Sequence, residues 1–301
     1  MTTSRRGVSV TDLFGGRSMS QKQATYQMAF LEQQLIAEFN ESVKQRAALA
    51  AQMKKVQRPI LDLVSKDPQT KAGVEGLHAL QASAQKRKVK FPVVAKATPR
   101  IFASSIGATM TPPYDFPWTW NAVSGNPSAN TETADKSMGT ASIYIWTDNN
   151  SNNSSSVSAA AAVGFYFYPA LANGSLQIWS TPSFNDLWGT YCNLDGAHAD
   201  AWIGILVIEF DMEGGNSHAV VSQQISLWSD NSWWGGTGTQ TGSNAGYSLY
   251  APPIQVDQDH QYNIWVWCGG SVSGAGWGTF SGSAAGDSLN LTVPSITWEL
   301  G

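Results

Sequence analysis

The sequence predicts an α+β protein in which an N-terminal helical hairpin precedes an all-β antiparallel sandwich or jelly roll. Before Pro59, apolar residues recur at intervals of three and four, which is the period of one helix face. Beyond Pro92, short segments alternate between apolar and polar residues, and clusters of Gly, Ser, Asn and Pro separate them. Short strands at such spacing are typical of an antiparallel sandwich.

Three regions follow from these periods. Residues 1–19 are rich in Gly, Ser and Arg and have no periodicity, which predicts a flexible arm. Residues 20–98 form a basic helical region, with a long amphipathic helix and a second helix, which we expect to serve assembly or tethering. Residues 99–301 form the predicted β-sandwich domain, which is rich in Trp and Gly.

The long helix is expected to start near Ser20, because Ser20 and Gln23 fit a capping box, and to reach about Val56. It should stop or kink before Pro59, which cannot donate an amide hydrogen bond. The apolar positions that share one face of this helix are Met28, Leu31, Leu35, Phe39, Val43, Ala47 and Ala50.

A second helix is expected over residues 69–85, with a short helical segment over 60–65 before it. Asp67 and Pro68 supply the N-cap and the first-turn proline that such a helix prefers. Two antiparallel helices cannot bury both of their apolar stripes against each other alone. The hairpin therefore needs the β domain, a second copy or another partner, and we expect a homo-oligomer.

Charge divides the chain at nearly the same place. Residues 1–100 contain 17 of the 18 Lys and Arg residues and 7 of the 22 acidic ones, for a net charge of +10. Residues 101–301 contain only Lys136 and 15 acidic residues, for a net charge of −14. Any contact with nucleic acid would therefore run through the basic N-terminal region. The basic run over 86–90 either complements a helix C-terminus or contacts an anionic surface.

The first residues predict no conventional signal peptide. Arg5 and Arg6 are followed by a polar stretch over 11–23, where an export signal would need an apolar core. The longest nearly apolar run, over 159–172, is broken by Pro169 and is too short to cross a membrane as a helix. We therefore expect no transmembrane segment, and a location either in the cytoplasm or outside the cell by an unconventional route.

The two cysteines, Cys192 and Cys268, leave the redox state open. A pair is compatible with one disulfide and equally with two buried thiols, because the sequence does not give the distance between their Cα atoms. Cysteine usage therefore does not decide the compartment.

Eight segments beyond residue 99 have the alternation and the composition of strands. They cover residues 100–108, 141–146, 160–168, 176–180, 201–210, 219–228, 261–268 and 289–299.

Tryptophans supply the candidate ligand-binding residues, and all 13 lie beyond residue 100. Trp265 and Trp267 alternate with Ile264 and Val266, so the two tryptophans share one face of a strand. If the aliphatic face meets the core, the tryptophans lie on an outer surface, where flat rings could stack on sugar rings. If the strand is buried on both sides, they are large core residues.

Two further tryptophan pairs are candidates. Trp233 and Trp234 open a Gly-rich loop and point in divergent directions, so at least one of them should be exposed. They either contact a ligand or a membrane interface, or the loop folds back and buries them. Trp118 and Trp120 form either a binding loop or an aromatic, proline-fixed start of the sandwich.

Glu209, Asp211 and Glu213 place three carboxylates on one side of an extended chain. This E-x-D-x-E spacing resembles the signature of laminarinase- and licheninase-type glycoside hydrolases, which are also β jelly rolls. The resemblance covers five residues and implies a retaining β-glucan hydrolase with Glu209 as nucleophile, Glu213 as acid/base and Asp211 tuning both. The same carboxylates could instead bind Ca²⁺ or form a solvated strand end.

Asp195, His198 and Asp200 form a polar cluster just before an apolar strand. Their spacing matches no defined ligand pattern, so they are weak metal candidates beside Glu209 and Asp211, and a turn is the ordinary alternative. The sequence contains no C-x-x-C pair, no H-E-x-x-H and no Gly-rich phosphate loop. No cofactor is therefore predicted, apart from the Ca²⁺ alternative.

The leading hypothesis is a non-catalytic binding and assembly protein. Its sandwich would recognise a neutral glycan or a similar polar surface as a lectin does, and its helical stem would oligomerise it and add avidity. The alternatives are a structural subunit of a capsid, fibre or filament, the jelly-roll glycoside hydrolase, and a membrane-active toxin. The sequence alone does not decide the ligand or the stoichiometry.

Overall fold

The computed structural model of the chain describes residues 21–70, 72–73, 106–149, 154–169, 171–193, 196–211, 217–232, 237–245, 248–275 and 282–301. Several predicted features lie outside these residues and stay predictions. They are the arm over 1–19, most of the helix over 69–85, the basic run over 86–90, the Trp233-Trp234 pair, Asp195 and Glu213.

The helical region contains one long helix, α1 (Gln21–Lys66). The prediction that it ends near Val56 was wrong, because the helix continues through Pro59. One interior proline costs about 3 kcal/mol, and the good helix formers on both sides of it offset this. Asp67 caps the following turn as predicted, since its carboxylate accepts two backbone N–H groups at 3.2 and 3.0 Å. No helix among the described residues is long and apolar enough to span a membrane.

The β region contains 14 described strands, where eight were predicted. Their bounds are β1 (Ile106–Met110), β2 (Phe116–Ser124), β3 (Ala129–Asp135), β4 (Thr140–Asn149), β5 (Ser154–Phe167), β6 (Gly174–Ser180), β7 (Ser183–Asn193), β8 (Ala197–Asp211), β9 (Ser217–Ser232), β10 (Thr237–Ala245), β11 (Leu249–Val256), β12 (His260–Ala275), β13 (Gly282–Thr292) and β14 (Ile296–Leu300). Strands such as β3 and β10 were missed because they are mostly polar and have no apolar alternation.

These strands form three antiparallel sheets. The front sheet has the order β2-β5-β12-β8-β9, the back sheet β10-β7-β13-β4-β3, and the third sheet β1-β14-β6-β11. Five pairs of consecutive strands, for example β4 with β5 and β12 with β13, occupy matching positions in the front and back sheets. Strands that pass between two facing sheets in this way build a β-sandwich, so the predicted architecture of the β region is confirmed at this level.

The main core lies between the front and back sheets. Every second residue of β8 and β12 faces it, and Ile203 and Ile264 are 0% exposed there. Burying one such side chain contributes about 1.5–3 kcal/mol. Cys192 and Cys268 lie in the same core. Both are free, buried thiols, which matches the alternative of two buried thiols and not that of a disulfide.

A second apolar cluster lies on the outer face of the front sheet, away from the back sheet. Its aromatic members on the strands β2 and β12, called the aromatic layer below, are Phe116, Trp118, Trp120 and Trp265. Phe39 of α1 is 8% exposed and belongs to this cluster, with Leu35 and Val43 packed beside it. Helix α1 therefore packs Leu35, Phe39 and Val43 of its predicted apolar face on the sandwich, whereas Ala47 of the same face is exposed.

Candidate ligand-binding face

Strands β8 and β12 are neighbours in the front sheet, and both carry a Trp-x-Gly triplet. The triplets are Trp202-x-Gly204 on β8 and Trp267-x-Gly269 on β12. Because the strands are antiparallel, Trp202 pairs with Gly269, and Trp267 pairs with Gly204. The middle residue of each triplet points into the core, so the Trp and the Gly lie on the outer face.

The two glycines make room for the two indoles. A Cβ atom on Gly204 would lie 2.6 Å from Nε1 of Trp267, and one on Gly269 would lie 2.7 Å from Nε1 of Trp202. Each indole therefore leans across the bare backbone of the partner strand. Both indole N–H groups are buried with no hydrogen-bond partner in the described part of the chain, so the rest of each ring provides the exposed surface of these half-buried side chains.

Together the two indoles form what we call the Trp corner. The ring centroids of Trp202 and Trp267 are 6.2 Å apart, and the ring planes meet at 71°. This edge-to-face geometry is a favourable contact between aromatic rings. Both side chains are half-buried, so part of each indole stays exposed.

Polar side chains surround Trp202 on the same face. On β9, Ser226 pairs with Trp202, and Gln224 lies two residues further along; both are exposed. On β12, Ser271 pairs with Asp200, which lies two residues from Trp202. Hydroxyl, amide and carboxylate groups thus lie beside an aromatic surface, and this combination is typical of sites for small polar ligands.

Asp200 is held in place by His198. The distance from Nε2 of His198 to Oδ2 of Asp200 is 2.8 Å, and the side chains are 17% and 23% exposed, respectively. The other carboxylate oxygen, Oδ1, is buried and accepts no hydrogen bond within the described residues. The described residues contain no group of three or more His, Cys, Asp and Glu side chains that could hold a metal ion. Asp195 lies outside the described residues.

Three of the candidate ligand-binding tryptophans are buried, as in the alternatives of a large core residue and of an aromatic start of the sandwich. Trp118, Trp120 and Trp265 are 6%, 7% and 1% exposed and belong to the aromatic layer. The rings of Trp265 and Trp118 are 5.3 Å apart, and that of Phe116 is 4.9 Å from Trp265. Helix α1 packs on this layer, so Trp265 is a residue of a strand that is buried on both sides. Trp267 is half-buried and stays a candidate.

Trp202 was not among the predicted site residues. Its strand is apolar on both faces over 201–208, so the alternation does not separate an outer tryptophan from a core one. The signal that could have found it is the Trp-x-Gly triplet that β8 and β12 share.

Glu209 and Asp211 lie on β8, on the opposite side of the front sheet from the Trp corner. Both approach His260, whose Nε2 is 3.3 Å from Oδ1 of Asp211 and 3.9 Å from Oε1 of Glu209. Its Nδ1 is 2.6 Å from Oδ1 of Asp257. The hydrogen bond to Asp257 and the charges of the three carboxylates raise the pKa of His260. The implied acid/base, Glu213, lies outside the described residues, so its pairing with Glu209 stays a prediction.

Another polar cluster, which the sequence analysis missed, lies inside the core. Asp186 on β7 and Asp287 on β13 are each 1% exposed, and Nε1 of Trp228 donates to Asp186. Burial raises the pKa of Asp186 to about 6. Burial, together with the charge of Asp186, raises the pKa of Asp287 well above its usual range. Two buried carboxylates in contact repel each other, so the pair favours the form that keeps a proton.

No family model and no curated protein matches this chain. Among solved structures, a family 61 carbohydrate-binding module in complex with β-1,4-galactotriose is 16% identical, with 57% of this chain and 88% of that one covered and a TM-score of 0.17. A family 11 carbohydrate-binding module from Clostridium thermocellum, in complex with a β-1,3-1,4-mixed-linked tetrasaccharide, is 13% identical, with 63% and 97% covered and a TM-score of 0.16. A chain in the structure of infectious bursal disease virus, Gx strain, is 12% identical, with 70% of this chain and 42% of that one covered and a TM-score of 0.16. Scores this low support no inference about this chain.

Proposed function

We propose that this protein binds an uncharged glycan at the Trp corner and that its helical region holds several copies together. The observation that carries the proposal is the pair of half-buried indoles, Trp202 and Trp267, on the outer face of the front sheet, with polar side chains beside Trp202. Sugar rings present C–H groups to aromatic faces and hydroxyl groups to polar side chains, so they match both parts of this surface.

The charge of the β region supports an uncharged ligand. Lys136 is the only Lys or Arg in residues 101–301, against 15 acidic residues. Its Nζ donates to the backbone oxygen of Asp115 at 2.9 Å, so it is engaged locally. A phosphorylated, sulfated or carboxylated ligand would meet no Lys or Arg on the front sheet and would lose the solvation of its charge.

Retention of the full chain on insoluble neutral polysaccharides tests the proposal. Suitable matrices are cellulose, β-1,3-glucan, galactan, mannan and xylan. Trp202→Ala and Trp267→Ala should each weaken binding about tenfold or more, because an aromatic anchor at a binding site contributes about 2 kcal/mol or more.

Trp146→Ala is the matched control for this experiment. Trp146 is also half-buried and also pairs with a glycine, Gly286, but it lies on the back sheet. We expect it to bind like the wild type. Failure of the wild type to bind any of these polysaccharides would refute the proposal, and so would undiminished binding by Trp202→Ala.

The helical region supports the second part of the proposal. Helix α1 uses Leu35, Phe39 and Val43 against the sandwich, while Val56 and Leu63 are 69% and 66% exposed further along it. Exposed apolar residues on a long helix mark an association surface. Several weak sugar sites on one oligomer would together bind a polysaccharide strongly.

A further inference from the structure

Strand β9 is an edge strand of the front sheet, and it places an exposed glutamine in the same row as Trp267. Across the sheet, Trp267 on β12 pairs with Gly204 on β8, and Gly204 pairs with Gln224 on β9. Residues that pair directly point to the same face of a sheet. The side chain of Gln224 therefore lies on the outer face, beside the Trp corner.

Only bare backbone separates the indole of Trp267 from this glutamine along the row. The Nε1 edge of the indole rests on Gly204, since a Cβ atom there would lie 2.6 Å from Nε1. Because glycine has no side chain, β8 places no group between the indole and Gln224. Neighbouring strands lie about 4.8 Å apart, which is comparable with the length of an extended glutamine side chain. The amide of Gln224 is thus within reach of a ring seated on the exposed part of the indole.

The other residue that β9 places beside the Trp corner is Ser226, which pairs with Trp202. Its hydroxyl group is also exposed, but it stays close to the backbone because the side chain is short. Gln224 is the residue of this edge whose polar group extends to the level of a ligand above the indoles.

The chemistry of a carboxamide decides what Gln224 can recognise. A sugar ring has C–H groups on its faces and hydroxyl groups around its edge, so a ring stacked on Trp267 turns hydroxyl groups towards Gln224. A carboxamide has a C=O acceptor and N–H donors side by side, and it carries no charge. It therefore matches two neighbouring hydroxyl groups, one that donates and one that accepts.

From this placement we infer that Gln224 binds two neighbouring hydroxyl groups of a sugar ring stacked on Trp267. The inference rests on the proposed function and deepens it. It assigns Gln224 as the residue that determines specificity, and it specifies the ligand class as glycans whose neighbouring hydroxyl groups are free and unsubstituted.

Gln224→Ala in the full chain tests this role. The probes are soluble β-glucans, galactan, galactomannan and arabinoxylan, and affinity electrophoresis measures the dissociation constants. For the polysaccharide that binds, the variant should bind about fivefold more weakly or worse, because it loses two hydrogen bonds between uncharged groups.

Gln223→Ala is the matched control. Gln223 is the same residue type, is adjacent in the chain and is also exposed. It pairs with Ile205 of the main core, so it faces the other side of the sheet. We expect this variant to bind like the wild type, and a loss equal to that of Gln224→Ala would overturn the inference.

O-methylation of the bound polysaccharide separates recognition of hydroxyl groups from a structural role of Gln224. A methyl ether donates no hydrogen bond, so the wild type should bind the methylated polysaccharide about fivefold more weakly. Gln224→Ala should bind the methylated polysaccharide as the wild type does. A loss by Gln224→Ala that is as large on the methylated as on the free polysaccharide would overturn the inference.

Two results distinguish failure of the inference from failure of the proposed function. Undiminished binding by Gln224→Ala, with binding still lost by Trp202→Ala and Trp267→Ala, would overturn the inference and leave the proposed function standing. If the wild type binds none of the soluble or insoluble polysaccharides, the proposed function fails, and the inference fails with it.

Discussion

The carboxyl groups of Asp186 and Asp287 make the stability of the sandwich depend on pH. Burial raises the pKa of Asp186 to about 6 and the pKa of Asp287 well above its usual range. The folded chain therefore keeps protons that the unfolded chain has already lost above about pH 4. This contribution to stability is fully present below the unfolded pKa and is lost as the pH rises through the folded values.

Asp287→Asn should remove most of this dependence. The amide fills the same volume, needs no proton to stay neutral and can donate a hydrogen bond to Asp186. At pH 8 the free energy of unfolding should rise above that of the wild type, because the amide removes one of the two buried carboxylates that repel each other. Chemical denaturation at pH 5 and pH 8 measures the difference. Asp259→Asn, at an exposed position, is the control and should leave the free energy of unfolding unchanged. An Asp287→Asn variant that is less stable than the wild type at pH 8 would contradict a proton shared by Asp186 and Asp287.

At the residue scale, the alternation of residue types along a strand predicted which face of the sheet a side chain occupies. It did not predict whether that face is exposed to solvent. It placed Trp265 and Trp267 on the face opposite the aliphatic residues of β12, which is where they lie. Whether that face is covered depends on the docking of α1, more than 200 residues away in the sequence. The contact between Asp186 and Asp287 likewise depends on the register of β7 with β13, which no local pattern contains.

At the scale of elements, Phe39 is the residue that fixes helix α1 on the front sheet. It is 8% exposed in a cluster with the aromatic layer, while most of its helical neighbours are exposed. Phe39→Ala should lower the free energy of unfolding by about 3 kcal/mol, because it leaves a cavity between helix and sheet. The fluorescence of Trp118 and Trp265 should shift to longer wavelength as water reaches them.

Leu63→Ala is the control for this helix contact. Leu63 is 66% exposed on the same helix, so its truncation should change the free energy of unfolding by less than about 0.5 kcal/mol. Equal effects of the two substitutions on stability and fluorescence would show that α1 does not depend on Phe39 for its position on the sandwich.

At the scale of the whole molecule, the exposed stripe of α1 predicts assembly. Val56 and Leu63 lie seven residues apart, hence on one helix face. Light scattering should detect an oligomer that persists in 1 M salt, because apolar contacts are not screened. Replacing both residues by Glu should give a monomer, while Met138→Glu, at a position that is also 66% exposed, should not. A wild-type protein that is monomeric at both low and high salt would contradict the proposal that helix α1 holds several copies together.

The architecture could be predicted further than its topology. Alternation and turn residues are local, and they were enough to predict a β-sandwich after a helical region. The order of the strands depends on pairings within each sheet, such as β5 with β12 and β7 with β13, which bring together segments distant in the sequence. The Trp corner combines both cases: the triplets are visible in the sequence, but their opposition requires the register of β8 with β12.

Oxidative footprinting of the tryptophans tests glycan binding at the Trp corner most directly. The full chain would be exposed to hydroxyl radicals with and without the neutral polysaccharide that retains it, and oxidation would be quantified at each residue by mass spectrometry. We expect protection of Trp202 and Trp267, and no change at Trp146 and Trp179, which are half-buried elsewhere in the β region. Protection confined to other tryptophans, or none at Trp202, would contradict binding at this corner.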